Sequence, residues 1–342
     1  MNHNSFPPNN EKKRPMSRRE FVYRMASILG ITATASYLFF APEEFPFSRK
    51  DFTGRRSQPR PRRIKLPDFR VDKSISAVAA GVGRGDTVEK RLRKALDAIG
   101  GISHYILPGD TVLIKPNVAF DRSPGLGATT HPAIIEELIK ILRIDCRARE
   151  VRVADNPIES PADCFAKSGI RMATERAGGR IYLPDGNAFR VLETPQAVRL
   201  KTSLFFYRPF KNVTKVIGVA AVKDHNLCQA SLGMKNWYGL LGGQRNQFHQ
   251  DIHETISDFP LMLPPTLTIL DGSVILMKNG PTGGNLSDVK QGDAIVAGTD
   301  PVAIDAWAFR NLLEREGDLP GYLYRAEQKG CGRIEAIVRE VV

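Results

Sequence analysis

Four apolar runs, each ending abruptly in an ionisable residue, constrain this chain more than any other feature of its sequence. Val112-Leu113-Ile114 runs into Lys115-Pro116-Asn117, and Val151-Arg152-Val153-Ala154 into Asp155. Residues 213–222 run into Lys223-Asp224-His225, and residues 267–270 into Asp271-Gly272. Largely apolar runs of this length suit strands buried on both faces. Helical spacing separates them: Val88, Leu92, Ala95, Leu96 and Ile99 share one face of a helix over 87–99, and further helices are expected over 133–143, from 162 onward and over 302–313. Residues 76–80, 181–183, 189–192 and 294–297 read as short strands. The repeated order of strand, loop and helix predicts an α/β fold, a mainly parallel or mixed sheet flanked by helices. Ligands in such sheets bind beyond the carboxyl ends of the strands. That is where the sequence puts its ionisable residues.

The densest such region is 219–253, which carries three of the four histidines beyond residue 110. It delivers Lys223 and His225 from a strand end, then Lys235 and Asn236, a glycine pair at Gly242 and Gly243, and His249 and His253. His249 and His253 stand four apart, so on a helix they share a face. The expected site is a cleft lined by Lys115, Asn117, Asp155, Lys223, His225, Lys235, Asn236 and His249. His225 and His249, with His253 or Asp271, have the chemistry to ligate a divalent metal through neutral imidazole and carboxylate. Lys115, Lys223 and Lys235 would hold a small anionic ligand, or one of them with a lowered pKa would serve as base. Asn117, Asp155 and Asn236 would orient a cofactor or substrate. The plainer alternative stands beside this: Lys235-Asn236 only opens a helix, His253 faces solvent, and only one histidine is functional.

Other features read as structure. Gly81 to Asp86 looks like a glycine turn between strand and helix, without the G-x-G-x-x-G spacing of dinucleotide sites. Thr130 or His131 would cap the following helix. Asp300-Pro301 suits an N-cap and first helical position, whereas capping does not explain Asp305. Cys146, Cys164, Cys228 and Cys331 contain no C-x-x-C pair, which excludes a self-contained iron–sulfur or four-cysteine zinc motif. They are read as buried free thiols or as two disulfides.

The formal charge of +12 is concentrated at one end. Residues 1–67 hold 14 Lys/Arg against 5 Asp/Glu, and the other 275 residues hold 35 against 32. The body therefore has no electrostatic case for nucleic acid. At the amino end, Ser17-Arg18-Arg19-Glu20-Phe21 precedes a mildly apolar run of 16 residues, Met25 to Phe40. This resembles a twin-arginine signal, and it falls short of the roughly 20 residues a spanning helix needs. Residues 1–41 are accordingly expected to be an export signal or anchor for the twin-arginine translocase, and 42–70 a Pro/Arg-rich linker able to rest on an anionic membrane face. Residues 71–342 are expected to form the α/β domain, as one unit or two subdomains, placed in the periplasm or at the outer side of the membrane.

The ordered set Val112-Leu113-Ile114-Lys115-Pro116-Asn117, His131-Pro132, Lys223-x-His225, Met234-Lys235-Asn236-x-x-Gly239, His249, Asp271-Gly272, Gly280-Pro281 and Asp300-Pro301-Val302-Ala303-x-Asp305 resembles the domain-of-unknown-function 362 family over roughly residues 75–315. The resemblance implies an α/β domain, in some members fused to a ferredoxin-type module that this chain lacks. A more distant likeness to lactate-racemase-type proteins implies histidines and lysines that hold a nickel cofactor.

Overall fold

The computed structural model describes residues 63–71 and 79–342. The signal, most of the linker and the expected strand residues 76–78 lie outside the described residues. Among the described residues no helix is long and apolar enough to cross a membrane.

The expected mixed α/β architecture is present. β1 (Arg63–Ile64) belongs to a small sheet with β6 (Phe189–Glu193) and β7 (Thr202–Phe206). The large sheet contains β2 (Ala80–Arg84), β3 (Thr111–Pro116), β4 (Glu150–Ala154), β5 (Arg180–Tyr182), β8 (Lys215–His225), β10 (Leu267–Leu276), β11 (Val289–Gly298) and β12 (Val338–Val341). Its order is β12-β2-β11-β10-β8-β3-β4-β5, with the short β9 (Gln229–Ser231) folded back antiparallel on the end of β8. The run from β10 to β5 is parallel, whereas β11 pairs antiparallel with both β10 and β2.

Side-chain alternation divides the core between the two faces of this sheet. On β8, Val216, Ala220 and Val222 join one apolar cluster while Ile217 and Val219 join the other. On β3, Val112 and Ile114 face the second cluster and Leu113 the first. α1 (Val88–Ala98) and α2 (Pro132–Lys140) cover the second face, with α3 (Pro161–Lys167) and α4 (Ile170–Arg176) beside them. α5 (Gly233–Asn236), α6 (Ile252–Met262), α7 (Pro301–Asn311) and α8 (Gly321–Gln328) cover the first.

Three local readings need correction. Gly81 and Gly83 form no turn; they lie inside β2, and a Cβ on Gly83 would stand 2.0 Å from the Arg91 carbonyl oxygen. Their absent side chains let α1 pack on the strand, and the turn comes only at Gly85. Asp271 does not end its strand, because β10 continues to Leu276 past an irregularity between Gly272 and Val274. His249 and His253 do not share a helix: His249 sits in the 3₁₀ turn Arg245–Asp251 and His253 in α6. The caps, by contrast, follow the sequence. The His131 side chain accepts from Ala133 N, and the Asp300 carboxylate accepts from Val302 N and Ala303 N. All four cysteines are free thiols.

Candidate functional site

β4, β3 and β8 lie side by side in parallel register, which puts Lys115 beside Asp155 at the ends of β3 and β4, while β8 runs on past Val219 to carry Lys223, whose side chain reaches back to Asn117. Gly218, paired with Lys115 across β3 and β8, leaves room for the indole of Trp237; a Cβ there would lie 2.7 Å from the ring. Trp237 is fully buried in that seat and immediately follows α5. Its anchorage holds Lys235 and Asn236 over the strand ends. From the other side, Asp305 on α7 accepts hydrogen bonds from Gly233 N (2.8 Å) and Met234 N (3.0 Å), fixing the start of α5. Asp305 therefore serves the frame of the site. Burial pushes its carboxyl up to about 7, against the pull of those two N–H groups.

Lys115 and Lys223 meet in one hydrogen-bonded chain. Lys115 Nζ pairs with Asp155 Oδ1 at 2.9 Å and donates to Asn236 Oδ1 at 2.8 Å. Asn236 Oδ1 also accepts from Asn117 Nδ2 (3.2 Å), while Asn236 Nδ2 donates to the Lys115 carbonyl (3.0 Å). Asn117 Oδ1 in turn accepts from Lys223 Nζ (3.0 Å), which also donates to the Ala128 carbonyl (2.7 Å). The amide orientations are thus set by the network. Asp155 is held from behind by Val118 N and Asn156 N. Gly239 makes the Lys115–Asp155 contact possible, since a Cβ there would stand 2.3 Å from Asp155 Oδ1 and 2.7 Å from Lys115 Nζ.

Charge in this cluster is unbalanced. Lys115, Lys223 and Lys235 are buried beside a single carboxylate, Asp155, and the guanidinium of Arg245 adds to the same field. Desolvation, which disfavours the charged amine, lowers all three lysines. Lys223 falls to about 7, with Lys235 and Lys115 pushing the same way. A neutral amine has two N–H groups, and Lys223 has two acceptors in Asn117 and Ala128. Lys235 differs from its neighbours. Among the described residues it has no hydrogen-bond or ion-pair partner, only the face of Tyr238 at 5.2 Å from the ring centroid. It also keeps 9% of its surface exposed, against 1% for Lys115 and Lys223.

The two nearby histidines are held in complementary tautomers. His225 Nδ1 accepts from Leu227 N at 3.1 Å, so its proton resides on Nε2. Burial, then Lys235 and Lys223, depress its pKa far below the usual value, so it stays neutral. Tyr238 Oη donates to the Arg245 carbonyl at 2.5 Å and must accept from His249 Nδ1 at 2.8 Å, which leaves the lone pair of His249 on Nε2. Burial also lowers His249.

The proposed metal ligands are not gathered. Among the described residues no group of three or more His, Cys, Asp or Glu side chains is placed to hold a metal ion. His253 stacks on Tyr322 between α6 and α8. Asp271 accepts from His131 N (2.7 Å) and Ser273 N (2.9 Å), tying β10 to the start of α2. His225 carries its proton on the nitrogen that a metal would need, given what Nδ1 accepts. The residues present therefore do not fit a metal centre built from His225, His249, His253 and Asp271.

Sequence reasoning missed Tyr238 and Arg245. Arg245 donates to the carbonyls of Asn156 (2.8 Å) and Pro157 (2.9 Å), closing the loop after the glycine pair onto the loop after β4. Beside it lies a cavity of about 390 Å³, lined by Asn156, Phe189, Leu241, Gly242 and Arg245 among others. The only signal was an arginine near two glycines, which spacing alone does not mark.

The family model described as a domain of unknown function, DUF362, matches residues 112–310, from β3 to the end of α7. The chain belongs to the DUF362 family. The match contains every residue of the lysine cluster. This DUF362 chain is also 24% identical over 250 residues to the thylakoid-associated protein sll1697 of Synechocystis sp., covering 68% of this chain and 72% of the relative. Two solved structures align more loosely. The lactate racemase apoprotein from Thermoanaerobacterium thermosaccharolyticum has a TM-score of 0.37 and 12% identity over 69% of this chain and 56% of its own. A Thermotoga maritima protein has a TM-score of 0.39 and 9% identity over 73% of this chain and 60% of its own. The chain thus spans under two thirds of either one.

Proposed function

We propose that this DUF362 protein binds a small anionic metabolite at the lysine cluster and acts on it as an enzyme. The observation that carries this reading is the burial of Lys115, Lys223 and Lys235, with the half-buried Arg245 beside them, around the lone carboxylate of Asp155. Buried charge is costly unless it is paired. An anion bound among these cations, beside Lys235, would supply the missing counter-charge. A lysine brought near neutrality beside fixed cations is equipped for proton transfer, which favours an enzyme over a passive carrier. The donor geometry gives no support to a metal-dependent mechanism.

Isothermal titration calorimetry of the full-length chain with oxalate and with inorganic phosphate tests the site. Saturable binding of either anion, weakened by added salt and lost in Lys235→Met, is expected. Absence of heat at millimolar concentrations of both would remove the anion-site reading.

We also propose export through the twin-arginine translocase and contact between the basic linker and an anionic membrane. The Ser17-Arg18-Arg19-Glu20-Phe21 pattern and the charge of residues 1–67 support this, and the thylakoid association of the Synechocystis relative is in keeping with it. Fractionation of the host cell after Arg18→Lys/Arg19→Lys tests the address. Retention of that variant in the cytoplasm is expected, and unchanged export would remove the claim.

A further inference from the structure

We propose that Lys235 is an amine nucleophile that forms a Schiff base with a 2-oxo acid; this rests on the anion site proposed above and names its ligand class. Three features of geometry single out Lys235 among the buried lysines. Lys115 is committed to Asp155 and Asn236, and Lys223 to Asn117 and Ala128. Lys235 alone of the three has neither a carboxylate nor a hydrogen-bond acceptor among the described residues. It is also the most accessible of the three, and the only one carried on a helix over the strand ends rather than on a strand itself.

An amine held this way has no anion to keep it charged. Burial and Arg245 both favour its neutral form, and a cationic neighbour is a recognised means of activating lysine as a nucleophile. The remaining cations then have a separate task. A carboxylate next to the reacting carbonyl would be met by Lys223 or Arg245 while Lys235 attacks the carbonyl carbon. A ligand whose carboxylate adjoins its carbonyl, a 2-oxo acid, suits an amine that shares its field with these cations.

The step balances without an external reagent. The Lys235 nitrogen forms a bond to the carbonyl carbon, the two amine hydrogens leave with the carbonyl oxygen as water, and a C=N bond remains. His225, neutral and with its Nε2–H free of any acceptor among the described residues, has the chemistry to assist departure of that oxygen.

Full-length protein is incubated with pyruvate and sodium cyanoborohydride, digested, and mapped by mass spectrometry. A reduced adduct at Lys235, suppressed by excess oxalate, is expected. Lys235→Met should lose it. The mapping on the unaltered chain needs no variant to fold. Adducts confined to exposed lysines such as Lys140 and Lys201, with none at Lys235, would overturn the proposal. If oxalate still binds in that case, the amine proposal fails and the anion site stands; if oxalate does not bind either, both fail.

Discussion

Replacing Asp155 by Asn removes the one carboxylate of the cluster while nearly preserving its shape. Lys115 Nζ then lies buried, 1% exposed, with amide oxygens but no anion. Breaking a buried ion pair on one side costs about 3–5 kcal/mol. A second route gives a ceiling. An unpaired lysine escapes the penalty by losing its proton, and doing so at pH 7 from a reference pKa near 10.4 costs about 4–5 kcal/mol at 1.36 kcal/mol per unit. The two figures agree, so we expect Asp155→Asn to lose about 4 kcal/mol at pH 7, or roughly 10 °C in melting temperature for a domain of this size. The penalty has a defined pH dependence. In the variant the folded pKa of Lys115 lies well below its unfolded value, so the destabilisation is complete below the folded pKa. It fades by up to about 1.4 kcal/mol per pH unit as pH rises toward the unfolded value. The assay is urea or thermal unfolding followed by tryptophan fluorescence from Trp237 and Trp307, for both proteins, from pH 7 to 9.5. A loss below about 1 kcal/mol at pH 7, or a difference that does not narrow with rising pH, would refute the view of Lys115–Asp155 as a buried, charged pair.

Oxalate, doubly charged throughout, should bind more tightly as pH falls from 8 to 6, because the anion favours the protonated form of Lys223, whose pKa lies at about 7. Above that pH the affinity should drop by up to about tenfold per unit, and calorimetry should find this step absent in Lys223→Met. Gly239→Ala places a methyl group 2.3 Å from Asp155 Oδ1, so it should lose about 1–3 kcal/mol of stability and most oxalate binding. Gly186→Ala, which meets nothing within 4 Å, should stay within about 0.5 kcal/mol of the parent in the same melts. Asp305 has a folded pKa raised to about 7, so its contribution to stability is present below its unfolded pKa and is lost as pH rises through 7. Asp305→Asn should therefore flatten part of the fall in stability between pH 4 and 7, and identical pH profiles for parent and variant would contradict that assignment.

The strands and their ionisable ends were legible because burial on both faces writes itself as an uninterrupted apolar run. Lys115, Asp155 and Lys223 follow such runs directly; parallel register brings the first two together, whereas Lys223 joins them through its reach to Asn117 from the longer β8. Asn117, Lys235 and Asn236 were recognisable by neighbourhood and by family resemblance. The histidine set was misread for a local reason. The four-residue spacing of His249 and His253 has meaning only on a continuous helix, and the chain changes from 3₁₀ to α geometry between them. Gly81 and Gly83 misled in the same way: a strand pressed against a helix and a turn both favour glycine. Arg245 was hidden because its partners are backbone carbonyls of a loop 88 to 89 residues away, and no side-chain pattern records such a contact.

The carboxylates explain why the family motifs mix chemistry with framework. Asp155, Asp271 and Asp305 are all fully buried, and each ends or interrupts an apolar segment in the sequence. Only Asp155 faces a cation of the cluster. Asp271 and Asp305 spend both oxygens on backbone N–H groups, one pair joining β10 to the entry of α2, the other holding the first turn of α5. Burial raises the pKa of both, since N–H groups repay desolvation less fully than a cation does. A buried acid of this kind is no less position-dependent than a catalytic one. If the Gly233 and Met234 peptides shift, Lys235 and Asn236 shift with them, and Asn236 is the link between Lys115 and Asn117. The lysine cluster therefore depends on α7, some seventy residues further along the chain, and its geometry belongs to the packed domain rather than to the segment that carries the lysines.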